Sequence, residues 1–181
     1  MTTHDISASR MGDVQRPAPA AAAPLLLGRR PGLSPRTDRI WTLPGFCGDA
    51  RVTTSFGDLP VKALRRNDPL RLAQGSLAIV EWVDHIHLEE ALLHFHPDAQ
   101  PVLIQAGALG PGRPAADLLV SPHQKINVGA GPYSQDFRRA RDLTGRPGVM
   151  RRPETVLSYH LFHCGAPAVV CVNGVLVPVT P

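Results

Sequence analysis

A chain of 181 residues with 43% apolar and 19% charged residues can bury a core without disulfide or metal staples, and its composition is that of a globular protein. No run of 18 apolar residues exists, which excludes a membrane-spanning helix. The net charge of +4 is uneven: residues 1–43 hold six arginines against three aspartates, but the chain has few aromatic residues to stack on bases, so no nucleic-acid partner is expected.

Residues 1–40 read as a disordered leader rich in Pro, Ala and Arg, ahead of a domain over 41–181. The apolar stretch Ala20–Leu27 is interrupted by Pro24 and runs into Gly-Arg-Arg without a small-residue cleavage pattern, so no secretory signal is expected. The high Pro and Gly content favours turns and short strands over long helices. Alternation and β-branching predict strands over Ala50–Ser55, Leu70–Leu72 and Leu77–Val83, with a short element over Leu59–Leu64. Residues 84–99 are the most helix-like part; a run of good helix formers starts at Leu88 and stops before Pro97. His85 and His87 would share one strand face, as a metal pair does, but no third ligand at suitable spacing completes the set, and no metal is expected.

The stretch Pro101–Ile126 holds two apolar runs, Val102–Ile104 and Leu118–Val120, joined by a Gly/Pro-rich loop. It reads as two buried strands, the second ending in Ser121-Pro122-His123-Gln124, where polar side chains reach a site. The arginine-rich segment 137–152 follows, with a short helix expected over Phe137–Leu143 and anion binding as one use of its charge. Thr155–His163 alternates as a strand. Ala168–Val172 and Val175–Val179 flank Asn173-Gly174, the strongest hairpin signal in the chain. Cys47, Cys164 and Cys171 make an odd number; Cys164 and Cys171 read as small buried thiols, with pairing across a hairpin as the other possibility.

Four blocks in this order resemble the Hint (Hedgehog/intein) family in its bacterial, alphaproteobacterial-type branch. They are GFCGDARVTTSFGDLPVKALRRNDPLR (45–71), VEWVD (80–84), HPDAQPVLIQAGALGPGRPAADLLVSPHQKI (96–126) and YHLFH with VVCVNG (159–174). The resemblance implies an all-β, horseshoe-shaped fold of short strands and hairpins in two pseudo-symmetric halves, with one or two short helices and no cofactor. Active members process themselves. A Cys or Ser at the first position of the domain attacks the preceding carbonyl and turns the peptide bond into a thioester or ester. A Thr/Ser-x-x-His motif supports the step, its imidazole protonating the departing amine.

The sequence departs from that pattern where the chemistry sits. Aligned through Arg51-Val52 and the Gly57 turn, the nucleophile position falls on Gly45. The Ser-x-x-His motif falls on Ser121–Gln124, so a glutamine, which does not donate a proton near neutral pH, stands in the histidine position. Ala166 and Pro167 stand where a later histidine is usual. Cys47 lies two places after Gly45, on the same face of an extended chain and about 7 Å along. His123 lies one place early, on the opposite face of a strand unless Pro122 bends the chain.

Two functions from different classes follow. One is a Hint-like domain without self-cleavage, kept as a binding or structural module with a protein partner. The other is autoprocessing at Phe46–Cys47 by Cys47, Ser121 and His123. Splicing in the intein sense is not expected, because Asn173 sits in a hairpin turn rather than at a splice junction.

Overall fold

The computed structural model describes residues 41–130 and 134–181; the leader expected over 1–40 lies outside the described residues. In chain order the strands are β1 Phe46–Cys47, β2 Arg51–Thr54, β3 Gly57–Pro60, β4 Pro69–Arg71, β5 Leu77–Ile79 and β6 Trp82–Leu88. A six-residue helix α1 (Glu90–Phe95) separates these from β7 Val102–Ile104, β8 Leu118–Val120, β9 Lys125–Asn127 and β10 Phe137–Arg139. The last four are β11 Val149–Arg151, β12 Leu157–His163, β13 Ala168–Val172 and β14 Val175–Val179. Among the described residues no helix is long and apolar enough to cross a membrane.

The strands form an all-β domain. One sheet runs β11-β7-β8-β1-β12-β6, a second runs β14-β13-β2-β4-β5 with β3 on β2, and β9 pairs with β10. The two apolar runs of Pro101–Ile126 are neighbours, with Val102 opposite Val120 and Ile104 opposite Leu118, all four fully buried. Each such side chain contributes about 1.5–3 kcal/mol of burial, so this pair anchors its sheet. The closing hairpin has Val172 opposite Val175, with Asn173 at φ 47° and Gly174 at φ 77°. Positive φ at both central residues is the turn whose twist matches paired strands, which is why Asn-Gly sits there. No disulfide joins Cys164 and Cys171; both are free, half-buried thiols.

Three local expectations are corrected. The strand expected over Leu77–Val83 is two strands in different sheets. Val80 is fully buried; its N–H donates to the Asp68 carbonyl and its carbonyl accepts from Asn67, so the chain turns there out of one sheet and into the other. The helix-like stretch 84–99 gives most of its first half to β6, because seven consecutive residues pair with β12, from Leu88 opposite Leu157 to Trp82 opposite His163. The helix expected over Phe137–Leu143 begins instead as β10, paired with β9, and continues as a 3-10 turn over Ala140–Leu143.

Candidate functional site

Strand β1 is two residues long and lies in the middle of its sheet, with Phe46 opposite Val120 on one side and His160 on the other, and Cys47 opposite Tyr159. That placement fixes the segment entering β1, residues 41–45, against the end of β8. Ser121 is fully buried there. Its N–H donates to the Gly45 carbonyl at 2.9 Å, and its hydroxyl donates to the Leu43 carbonyl and accepts from the Trp41 indole N–H at 3.0 Å. Gln124, also buried, accepts the Gly45 N–H on Oε1 at 3.1 Å while its Nε2 donates to the Lys125 carbonyl at 3.2 Å. Two of the four residues of the Ser121–Gln124 stretch therefore hold the backbone that leads into β1.

Gly45 has φ +152°, and a Cβ built on it would stand 2.9 Å from the Cβ of Tyr159. Tyr159 is fixed: it is fully buried, donates its hydroxyl to the Ala99 carbonyl at 2.7 Å and lies against the Trp41 ring with centroids 5.5 Å apart. The contact atom belongs to the rigid base of that side chain, so nothing at Gly45 can yield cheaply.

Ser121-Pro122-His123-Gln124 is a turn, closed by the Gln124 N–H on the Ser121 carbonyl at 3.0 Å, and not a strand. Strand alternation therefore does not apply: the chain bends at Pro122, the alternative the sequence left open, and His123 does not point away. It lines the same cavity of about 540 Å³ as Gly45, Phe46 and Gln124. Arg141 reaches it from the turn after β10, where the Arg141 N–H donates to the Pro122 carbonyl, and its Nη1 donates to His123 Nε2 at 3.2 Å. A guanidinium has donors alone, so Nε2 is the unprotonated acceptor. Burial first, then Arg141 and Arg139, push the imidazole below its usual range.

Cys47 lines a different cavity, of about 490 Å³, with Gly48, Arg152 and Glu154 among its walls. Gly45 lies outside β1 in a positive-φ conformation, so the regular alternation that would keep Cys47 on its face is broken. The structure thus brings Ser121, Gln124 and His123 to the 41–45 segment and places the Cys47 thiol elsewhere. Burial, then the Glu154 carboxylate, pushes that thiol up to about 12. Near neutral pH its thiolate is far scarcer than in an ordinary cysteine, and the thiolate is the nucleophile. Alkylation by iodoacetamide at mildly alkaline pH is expected to be at least tenfold slower at Cys47 in the folded chain than in urea. Equal rates, read by peptide mass mapping, would contradict this environment.

His85 and His87 share a face of β6 as expected; His85 lies opposite His160 with rings 6.0 Å apart, while His87 Nδ1 and the Ser158 hydroxyl share a 2.9 Å hydrogen bond. Among the described residues no three His, Cys, Asp or Glu side chains converge to hold a metal ion. Sequence reasoning missed Tyr159 and Trp41 at this site, and it left the arginines of 137–152 as one cluster. Arg138 in fact pairs with Asp136, Arg152 with Glu154, and Arg151 donates to the Asp98 and Gln100 carbonyls. Arg139 and Arg141 alone of that segment line the cavity at Gly45.

The family model of the Hint domain matches residues 44–178. The chain belongs to the Hint domain family. Solved structures agree on the fold. The DnaB intein from Synechocystis sp. PCC 6803 is 10% identical with a TM-score of 0.51, over 77% of this Hint domain protein and 100% of that chain. The Msm DnaB1 intein splicing domain, crystallised with zinc, is 12% identical with a TM-score of 0.50, over 75% and 99% of the two chains. The Ssp DnaB mini-intein variant M86 is 10% identical with a TM-score of 0.50, over 76% and 94%. At these identities the likeness is one of fold. No curated protein matches the sequence.

Proposed function

We propose that this Hint domain does not cleave its own chain and is kept as a binding module. The observation that carries the reading is Gly45. It falls on the family's nucleophile position, and the space for a side chain there is filled by Tyr159, 2.9 Å from where a Cβ would stand. Gln124 supports it from the other side: it occupies the histidine position of the motif and accepts the Gly45 N–H, holding the Pro44–Gly45 amide without offering it a proton. His123 is committed as an acceptor to Arg141. The autoprocessing alternative needs Cys47 and His123 together, whereas they line separate cavities.

The scaffold around these positions is intact. Gly107 and Gly112, in the loop between β7 and β8, adopt φ 76° and 67°, values that favour glycine, and the strands they join are fully packed. Retention of such turns beside an altered reaction centre fits a fold still in use.

Hydroxylamine captures esters and thioesters as hydroxamates. Prolonged treatment of the purified chain is expected to give no hydroxamate on Pro44 or Phe46 by tandem mass spectrometry. A hydroxamate on Pro44 would overturn the proposal through the family's own junction. One on Phe46, abolished by Cys47→Ala, would establish the Cys47 reaction instead.

A further inference from the structure

The cavity beside Gly45 has a two-part chemistry. Its floor is apolar, built from Phe46, Leu161, Phe162 and Val179. Its rim carries Lys125, Arg139 and Arg141, and among the described residues no carboxylate lines it. Among the described residues Lys125 and Arg139 enter no ion pair, and Arg141 meets Asp142 at a loose 3.5 Å. Of the same segment, Arg138 and Arg152 are paired with carboxylates at 2.7 and 2.9 Å, while Arg146 and Arg151, which like Arg139 enter no ion pair among the described residues, do not line this cavity. A volume of about 540 Å³ is that of a small-molecule site.

We propose that this cavity binds an amphipathic carboxylate, its head on the Lys125–Arg139–Arg141 rim and its alkyl tail against Phe46, Phe162 and Val179. The inference deepens the binding-module reading and rests on it, since a cleaving domain would need this space for its own junction. Two planar guanidinium groups, Arg139 at the end of β10 and Arg141 in the 3-10 turn that follows, match a carboxylate's paired oxygens, and an ammonium adds charge from β9. The arginines stand on the rim rather than in the floor, so the head stays near solvent and no buried charge is left unpaired in the empty site. Release of water from the apolar floor supplies the tail's contribution. A phosphate monoester on the same tail shares this chemistry, and the decyl phosphate titration below distinguishes the two.

Decanoate, decyl phosphate and decanol are the probes, titrated by calorimetry into the full chain at low salt. Decanoate is expected to bind saturably at one site, at least tenfold more tightly than decanol. The double variant R139Q/R141Q should lose at least tenfold in decanoate affinity while leaving decanol unchanged, and K125Q should lose several-fold. These side chains are exposed or half-exposed, and an unchanged thermal midpoint will show that each variant folds. No decanoate binding at about 1 mM, or binding that R139Q/R141Q and K125Q leave intact, overturns the proposal. Tighter binding of decyl phosphate than of decanoate overturns the carboxylate assignment. Intact mass is read on the same samples: cleavage with decanoate binding preserved refutes the non-cleaving reading alone, and an uncleaved chain that ignores decanoate refutes this inference alone.

Discussion

Gly45→Cys is expected to destabilise the protein by about 2–5 kcal/mol and to leave it uncleaved, although it puts a thiol where the family resemblance places the nucleophile. The cost has two sources. A side chain at φ +152° occupies a backbone region that only glycine enters freely, and its Cβ would meet the Tyr159 Cβ at 2.9 Å. Relief requires β1 to move away from β12, and β1 is the two-residue strand that ties β8 to β12. Gly45→Ala should cost nearly the same, which separates the steric effect from any effect of the thiol. Urea denaturation measures both. A Gly45→Cys chain as stable as the parent would show that the space is open, and one that cleaves would show that the nucleophile was all the site lacked.

Ser121→Ala is expected to cost about 1–3 kcal/mol, from leaving the half-buried Trp41 indole N–H and the Leu43 carbonyl without their shared partner. The effect should be local before it is global. Residues 41–45 are held by Ser121 and Gln124, with the Trp41 backbone N–H also on the Asp98 carboxylate, so loss of the Ser121 clamp releases the Trp41 indole and loosens its contact with Tyr159. In a Trp82→Phe background the remaining tryptophan emission should shift to the red well below the unfolding midpoint. An unshifted emission with an unchanged midpoint would mean that the hydroxyl does not hold the segment.

Much of the architecture was legible because its signals are local. Asn173-Gly174 marks a turn through its own backbone preferences, and the apolar runs at Val102 and Leu118 bury themselves whatever lies between them. The break at Val80 was not legible, because a continuous apolar run does not say which neighbours will accept its hydrogen bonds; Asn67 and Asp68 decide that. Likewise the turn at Pro122 reversed the expected orientation of His123, since the alternation rule holds only where a strand exists. Gly45 was visible as a residue without a side chain. That Tyr159 occupies its place was not, because the contact depends on a pairing between segments far apart in the chain. Arg139 and Arg141 were part of an undifferentiated basic run until the pairing of β9 with β10 aimed them at one cavity, while Arg138 and Arg152 found carboxylates elsewhere.

The central claim, that a Hint fold with Gly45 and Gln124 at the junction does not cleave, is tested most directly by the intact mass of the unmodified chain. The purified protein is incubated with dithiothreitol for days at mildly acid to mildly alkaline pH and weighed at intervals. The account predicts the mass of all 181 residues throughout. A fragment beginning at Gly45 or Cys47, growing with time, would contradict it.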